Sequence, residues 1–196
     1  MLNNIKKKQP VDDAKFDLLF PEEIRAAASF HFTPVEIAKA TADFLIEETG
    51  MKVLDVGAGA GKFCLVGAAH TQGHFTGVEQ RKQLVTIAQK LATQFDLNNT
   101  NFLHDNLTNL HFSDYKAFYI FNPFMEHQTP DDSLDADLKF DRALYYLYSD
   151  FVKGQLERMP KGTRLATYFS HGDEVPGSYV KVGGDENAKL RFWVKG

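Results

Sequence analysis

Val53-Leu54-Asp55-Val56-Gly57-Ala58-Gly59-Ala60-Gly61-Lys62-Phe63 is the stretch on which the fold turns. Val53, Leu54 and Val56 form a short aliphatic run, three glycines follow at alternate positions, and Cys64-Leu65-Val66 with Ala68-Ala69 open an apolar helical pattern. That order predicts a buried strand, a tight turn and a helix start. Glycine suits the turn because a side chain would hold the backbone away from anything lying over it, and because φ > 0 is expected there. A ligand laid across the turn would touch main-chain groups directly.

Spacing separates the nucleotide-binding turns that compete for this stretch. G-x-G-x-x-G fits Gly57 and Gly59 but needs glycine where Lys62 stands, and the phosphate loop G-x-x-x-x-G-K-[ST] fails at Val56 and Phe63. What remains is an aliphatic strand, the acid Asp55 near its end, and G-x-G-x-G. Taken alone, such a turn can also be plain structure. The stretch resembles motif I of the class I S-adenosylmethionine-dependent methyltransferases, and Val53 to Gly61 matches that pattern at every defining position. The resemblance implies S-adenosylmethionine as cofactor, S-adenosylhomocysteine as product, and the methionine end lying over Asp55, Gly57, Gly59 and Gly61.

Downstream, His74-Phe75-Thr76-Gly77-Val78-Glu79-Gln80 reads as a second strand ending in an acid, and Glu79 lies 22 residues beyond Gly57. A β-α-β unit places an acid beside a ribose at about that distance, where a carboxylate accepts from both hydroxyls and repels a 2′-phosphate. Glu79, with Gln80, is the candidate ribose site. Leu84, Ile87, Ala88, Leu91 and Phe95 predict a helix over 81–95. Asn101 to Asn106 is a third strand ending in an acid. The family resemblance places the adenine near Asp105 and Asn106; a strand-end turn is the other use of such residues.

Ala117 to Phe124 is a fourth strand running into Asn122-Pro123-Phe124. This tripeptide resembles motif IV of amino-group methyltransferases, (Asn/Asp)-Pro-Pro-(Tyr/Phe), with one proline instead of two. The resemblance makes Asn122, Pro123 and Phe124 the catalytic candidates, with Asn122 also beside the cofactor. An amine attacking a sulfonium methyl must present its lone pair in line, and an amide oxygen can accept its hydrogens to orient it. An aromatic face can hold the acceptor or the positive charge developing on nitrogen. An Asn-Pro turn is the structural alternative.

Toward the N-terminus, Thr33-Pro34-Val35-Glu36 reads as a capping box with proline at the first helical position, predicting a helix from about 34 to 48 ended by Gly50. The same start resembles the segment that precedes motif I in many amino-group methyltransferases, which places Phe32 and Thr33 near the methionine end. Residues 16–32, with Phe16, Leu19, Phe20 and Phe32, are too apolar for a linker and are expected to fold over the main domain as a lid or flanking helix. Residues 1–15 read as a frayed polar end rather than a phosphate-binding arm. The domain division is thus an extension over 1–32 and a cofactor-binding domain over 33–196.

Beyond Phe124, residues 125–137 carry Asp131, Asp132, Asp135 and Asp137 and read as an acidic loop. A helix follows over 138–158, with Tyr145, Tyr146 and Tyr148 as packing rather than a cage. Arg164–Phe169, Ser178–Val182 and Leu190–Val194 are three more strands, the last two a hairpin with Gly183 to Asn187 between them. Seven strands result, the first five alternating with helices. The fold is therefore α/β, a three-layer, doubly wound, mostly parallel sheet ending in an antiparallel hairpin.

With 196 residues, 43% hydrophobic and 24% charged, the chain has the balance of one globular domain. A net charge of −4 argues against a surface built mainly for nucleic acid. A small-molecule or protein amine is the expected acceptor, with an RNA or DNA base, a nicotinamide enzyme and a non-catalytic nucleotide-binding domain as the alternatives. Cys64, the single cysteine, has no internal partner and reads as a packed thiol. The seven histidines show no ligand spacing, so no metal is assigned. Without an apolar run of membrane length or a signal-type start, the expected location is cytoplasmic, with no membrane partner.

Overall fold

A computed structural model of the chain describes residues 1–26, 32–122, 124, 142–185, 187 and 189–196. Seven strands form one sheet: β1 Lys52–Val56, β2 His74–Glu79, β3 Thr100–His104, β4 Ala117–Phe121, β5 Arg164–Tyr168, β6 Tyr179–Asp185 and β7 Leu190–Lys195. Their order is β3-β2-β1-β4-β5-β7-β6, with β1 to β5 parallel and β7 antiparallel to both β5 and β6. The chain reverses its direction of travel between β1 and β4, which leaves a crevice at their carboxyl ends.

The central strands are apolar on both sides because both faces are covered. On one face Val53, Phe75 and Tyr119 meet helices α4 Val35–Leu45, α5 Lys62–His70 and α6 Lys82–Gln94. On the other, Leu54, Val56, Phe118 and Ile120 meet α7 Arg142–Glu157 through Val152 and Leu156. Phe112 stacks on Phe118 with ring centroids 5.0 Å apart. It belongs to the β3–β4 connection, which consists of two 3₁₀ turns, Leu107–Asn109 and Phe112–Asp114. The expected helix alternation therefore breaks here, because twelve residues between strands already close the layer with one buried phenylalanine.

Helix α5 has no polar face: every residue from Lys62 to Ala69 is buried. A helix apolar all round needs cover on both sides, and the N-terminus supplies the outer one. Helix α1 Leu2–Lys6 packs on α5 with Leu2 and Ile5 fully buried. Lys6 Nζ donates to the Phe95 carbonyl at 2.7 Å and Lys8 Nζ to that of His70 at 2.6 Å. The polar end expected to fray is thus docked, because its two apolar residues lie three apart on one helical face. Helices α2 Asp13–Asp17 and α3 Glu22–Arg25 follow, and Phe16 and Phe20 join the same core.

Three further expectations are corrected. The Thr33 hydroxyl does not cap α4; it pairs with the Tyr119 hydroxyl at 2.8 Å, Pro34 takes the N-cap position, and the Val35 N–H donates to Asp13 Oδ1 at 2.9 Å. Helix α4 ends at Leu45 rather than near 48, where Ile46 turns extended and packs against the core. Gly183 and Gly184 lie inside β6, not in the hairpin loop, at an irregularity between Lys181 and Gly183. Gly184 has φ 120, and a Cβ there would run into the Leu190 backbone. Pro123, the acidic loop 125–137 and the first four residues of the helix expected over 138–158 lie outside the described residues.

The glycine turn shows why its spacing matters. Gly61 has φ 83, and a Cβ on it would stand 2.6 Å from Phe102 Cε1 and 2.8 Å from the Ala88 methyl. Left-handed strain of roughly 1–2 kcal/mol adds to overpacking of similar size. Gly61→Ala is expected to lose about 2–3 kcal/mol, seen as a lower urea midpoint with unchanged slope. A wild-type midpoint would refute the tight approach of α5 to β3 and α6.

Candidate active site

A cleft with about 410 Å³ of open space lies at the carboxyl ends of β1, β2 and β3, lined by Gly57, Glu79, Gln80, Asp105, Asn106 and Phe124 among others. Those six are sequence candidates brought together by parallel strands that end side by side. Gly57, Gly59 and Gly61 all have positive φ, at 76°, 55° and 83°. A Cβ built on Gly59 meets nothing within 4 Å, so the turn faces open space there.

Glu79 is the polar anchor of the turn. Its side chain is 3% exposed, and Oε2 accepts the Gly59 N–H at 3.0 Å. Oε1 accepts the Arg81 N–H and Nε, each at 2.9 Å. The acid at the end of β2 thus holds the glycine loop and draws a guanidinium to the cleft. Asp105 Oδ1 accepts from the Asn106 N–H and Asn109 Nδ2, both at 2.7 Å. Asn106 Nδ2 donates to the Tyr148 hydroxyl at 2.9 Å, and the Phe124 and Tyr148 rings lie 5.5 Å apart at 31°.

Asp55, Phe32 and Thr33 are placed on the other side of the turn, away from that cleft. Asp55 is 3% exposed, accepts from the Cys64 thiol at 3.4 Å, and burial raises its pKa to about 7, with the Glu79 charge adding to the rise. Burial, with Asp55 beside it, pushes the Cys64 thiol well above its ordinary range. Thr33 is joined through Tyr119 to the strand position paired with Asp55. Phe32 packs on Phe20 at 4.7 Å. Asn122 is half-buried one residue past the end of β4, with φ 39, a conformation asparagine tolerates better than most residues.

Several participants were missed from sequence. Lys62, used there only to reject a phosphate loop, is buried with Nζ 2.6 Å from both Asp13 and Asp17 and 5.4 Å from the Phe16 and Phe32 ring centroids. No local pattern signals those partners, 45 and 49 residues away. Arg81 and Tyr148 also line the cleft. A base two residues after a strand-end acid was a readable signal for Arg81; Tyr148 was read as packing.

A family described as a methyltransferase domain matches residues 47–161, more than half of the chain. Among solved structures, TrmN from Thermus thermophilus superposes with a TM-score of 0.61 at 18% identity, covering 87% of this chain and 51% of its own. The chain therefore spans about half the length of that protein. Magnesium protoporphyrin IX methyltransferase from Synechocystis PCC 6803, with bound S-adenosylmethionine, gives 0.58 at 13% identity, covering 93% and 90%. An RNA methyltransferase from Salinibacter ruber in complex with S-adenosylhomocysteine gives 0.52 at 18% identity, covering 82% and 89%. No curated protein sequence matches. The chain belongs to this methyltransferase-domain family and has the class I methyltransferase fold. No helix among the described residues is long and apolar enough to cross a membrane.

Proposed function

We propose that the chain transfers a methyl group from S-adenosylmethionine to a nitrogen of a small molecule or a protein side chain. The observation that carries the cofactor half is the open space over Gly59 beside the buried carboxylate that holds its N–H. A side chain on Gly59 would be strained at φ 55 and would project into that open space, and the carboxylate suits a diol and repels a phosphate. Glu79 and Gln80 would take the ribose, with the Arg81 guanidinium giving way, and Asp105 with Asn106 would take the adenine beside the packed pair Phe124 and Tyr148. Asp55, near the turn, would face the ammonium of the methionine end, next to Thr33 and Phe32.

The extension over residues 1–32 would act as a lid on that end. Lys62 anchors it through Asp13 and Asp17, and Asp13 also caps α4. The cofactor supplies a methyl on a sulfonium that is its own leaving group. The chain's task is then alignment and exclusion of water. Asn122 would hold an acceptor N–H through its amide oxygen, so that the lone pair points at the methyl. As the N–C bond forms, the new ammonium sheds its proton to water, since an amide takes none at neutral pH.

Calorimetry with S-adenosylmethionine, S-adenosylhomocysteine and NAD tests the cofactor half; binding of NAD alone would end this reading. Labelled cofactor incubated with small-molecule, protein and RNA fractions of a lysate tests the acceptor, and label in RNA alone would defeat the preference. Glu79→Ala is expected to weaken S-adenosylhomocysteine about thirtyfold, or 2 kcal/mol, the order of one charged hydrogen bond. Unchanged affinity would remove Glu79 from the site.

A further inference from the structure

The carboxyl rim continues past Asn122 in a way the cofactor does not require. Phe121 is the last residue of β4 paired with Tyr168 of β5, so Asn122 and Phe169 occupy neighbouring positions just beyond. The Phe169 N–H in turn donates to the Lys189 carbonyl at 3.1 Å, next to the start of β7. All three rim residues are left-handed, Asn122 at φ 39, Phe169 at φ 50 and Lys189 at φ 53. For asparagine this is tolerable, but for phenylalanine it is a strained conformation that needs a reason.

The reason lies in where the ring goes. Successive side chains of a regular strand point to opposite faces, yet the Phe169 ring lies 4.8 Å from that of Tyr168 at 86° and 6.1 Å from that of Phe121. Tyr168 itself meets Phe121 edge-on at 4.7 Å. The left-handed turn brings Phe169 back over the rim and completes an aromatic corner beside Asn122. Phe169 remains 42% exposed, and Lys189 Nζ stands 4.6 Å from its ring centroid. Strain that brings a large apolar ring into water beside a cation does not serve the core.

We propose that Phe169, with Tyr168, Phe121 and Lys189, is the acceptor-binding wall, and that the acceptor is a small planar aromatic or heteroaromatic amine carrying an acidic group. The inference rests on the methyltransferase reading above and narrows its acceptor class. Neighbouring strands are about 4.8 Å apart, so a ring against Phe169 can present an N–H to Asn122. Its acidic group meets Lys189, which leaves the phenyl face to the incoming ring. A polynucleotide is disfavoured by the net charge of −4.

The test is an NMR titration of the full chain saturated with S-adenosylhomocysteine, using 4-aminobenzoate, its neutral analogue 4-aminobenzamide, aliphatic 6-aminohexanoate and a decaadenylate RNA. We expect 4-aminobenzoate to bind at least tenfold tighter than 6-aminohexanoate. Phe169→Ala should abolish that margin while S-adenosylhomocysteine affinity stays within twofold, and Lys189→Met should bring the benzoate down to the benzamide. Phe169→Gly, which relieves the left-handed strain, should lose the probe yet keep or raise the melting temperature. Equal binding of the aliphatic probe, no aromatic probe bound at millimolar concentration, a rim that answers only to RNA, or a Phe169→Gly variant melting as low as Phe169→Ala would each overturn the wall. Loss of S-adenosylhomocysteine binding would instead strike the cofactor reading, and the titration repeated without it reads the rim alone.

Discussion

Asp55→Asn is expected to be more stable than the wild-type chain at pH 8, by on the order of 4 kcal/mol, and to lose that advantage as the pH falls to 4. The carboxyl has a pKa of 3.8 when unfolded and about 7 when buried in the folded chain. Between those values the folded state binds a proton that the unfolded state does not, so stability falls as pH rises from about 4 to 7 and is flat above. Each pH step in that window costs about 1.4 kcal/mol. An asparagine carries no charge to desolvate, and its amide oxygen can still accept from the Cys64 thiol. Urea melts of the two proteins at pH 4.5, 6 and 8 would check it, and parallel curves would mean that Asp55 ionises freely.

The same residue links stability to the proposed function. A buried carboxylate held near neutrality is a cost that a cofactor ammonium would relieve, a common pattern at functional positions. S-adenosylhomocysteine should therefore bind wild type more tightly at pH 8 than at pH 6, with proton release at the lower pH. Asp55→Asn should bind it more weakly and without that pH dependence. Calorimetry in two buffers of different ionisation enthalpy separates the cases. A stabilised variant with unchanged affinity would make Asp55 a residue of the core alone.

Asn122→Ala is expected to slow methyl transfer about 10²-fold, or roughly 3 kcal/mol, with cofactor affinity changed by no more than a few fold. The residue stands at the end of β4, where the rim carries no regular pairing, and its amide is free of the demands of a ladder. Removing it would leave the acceptor bound but poorly aimed, so the loss should appear in kcat and in single-turnover rates. Asn122→Gly keeps the left-handed backbone without the amide and should be equally slow. If either variant transfers methyl at the wild-type rate, or if Asn122→Ala only unfolds, Asn122-Pro123-Phe124 is a structural turn and the nitrogen acceptor loses its main support.

What was legible in the sequence was the run of local signals around the glycine turn. The aliphatic run before Gly57, the glycines at alternate positions and the acid 22 residues on encode β1, the turn, α5 and the end of β2, because strand burial and φ > 0 leave local signatures. Parallel strands that end together then bring Gly57, Glu79, Asp105 and Asn106 to one cleft without further instruction. The tertiary structure alone decided which polar groups found each other across long separations. Thr33 left its cap for Tyr119, 86 residues away, and Lys62 took Asp13 and Asp17 from a segment expected in part to fray. Asp55 became a buried acid under a thiol, and Phe169 turned back over the rim. Those outcomes depend on which segments pack against one another, and burial then forces each polar group to take whatever partner the packing brings within reach.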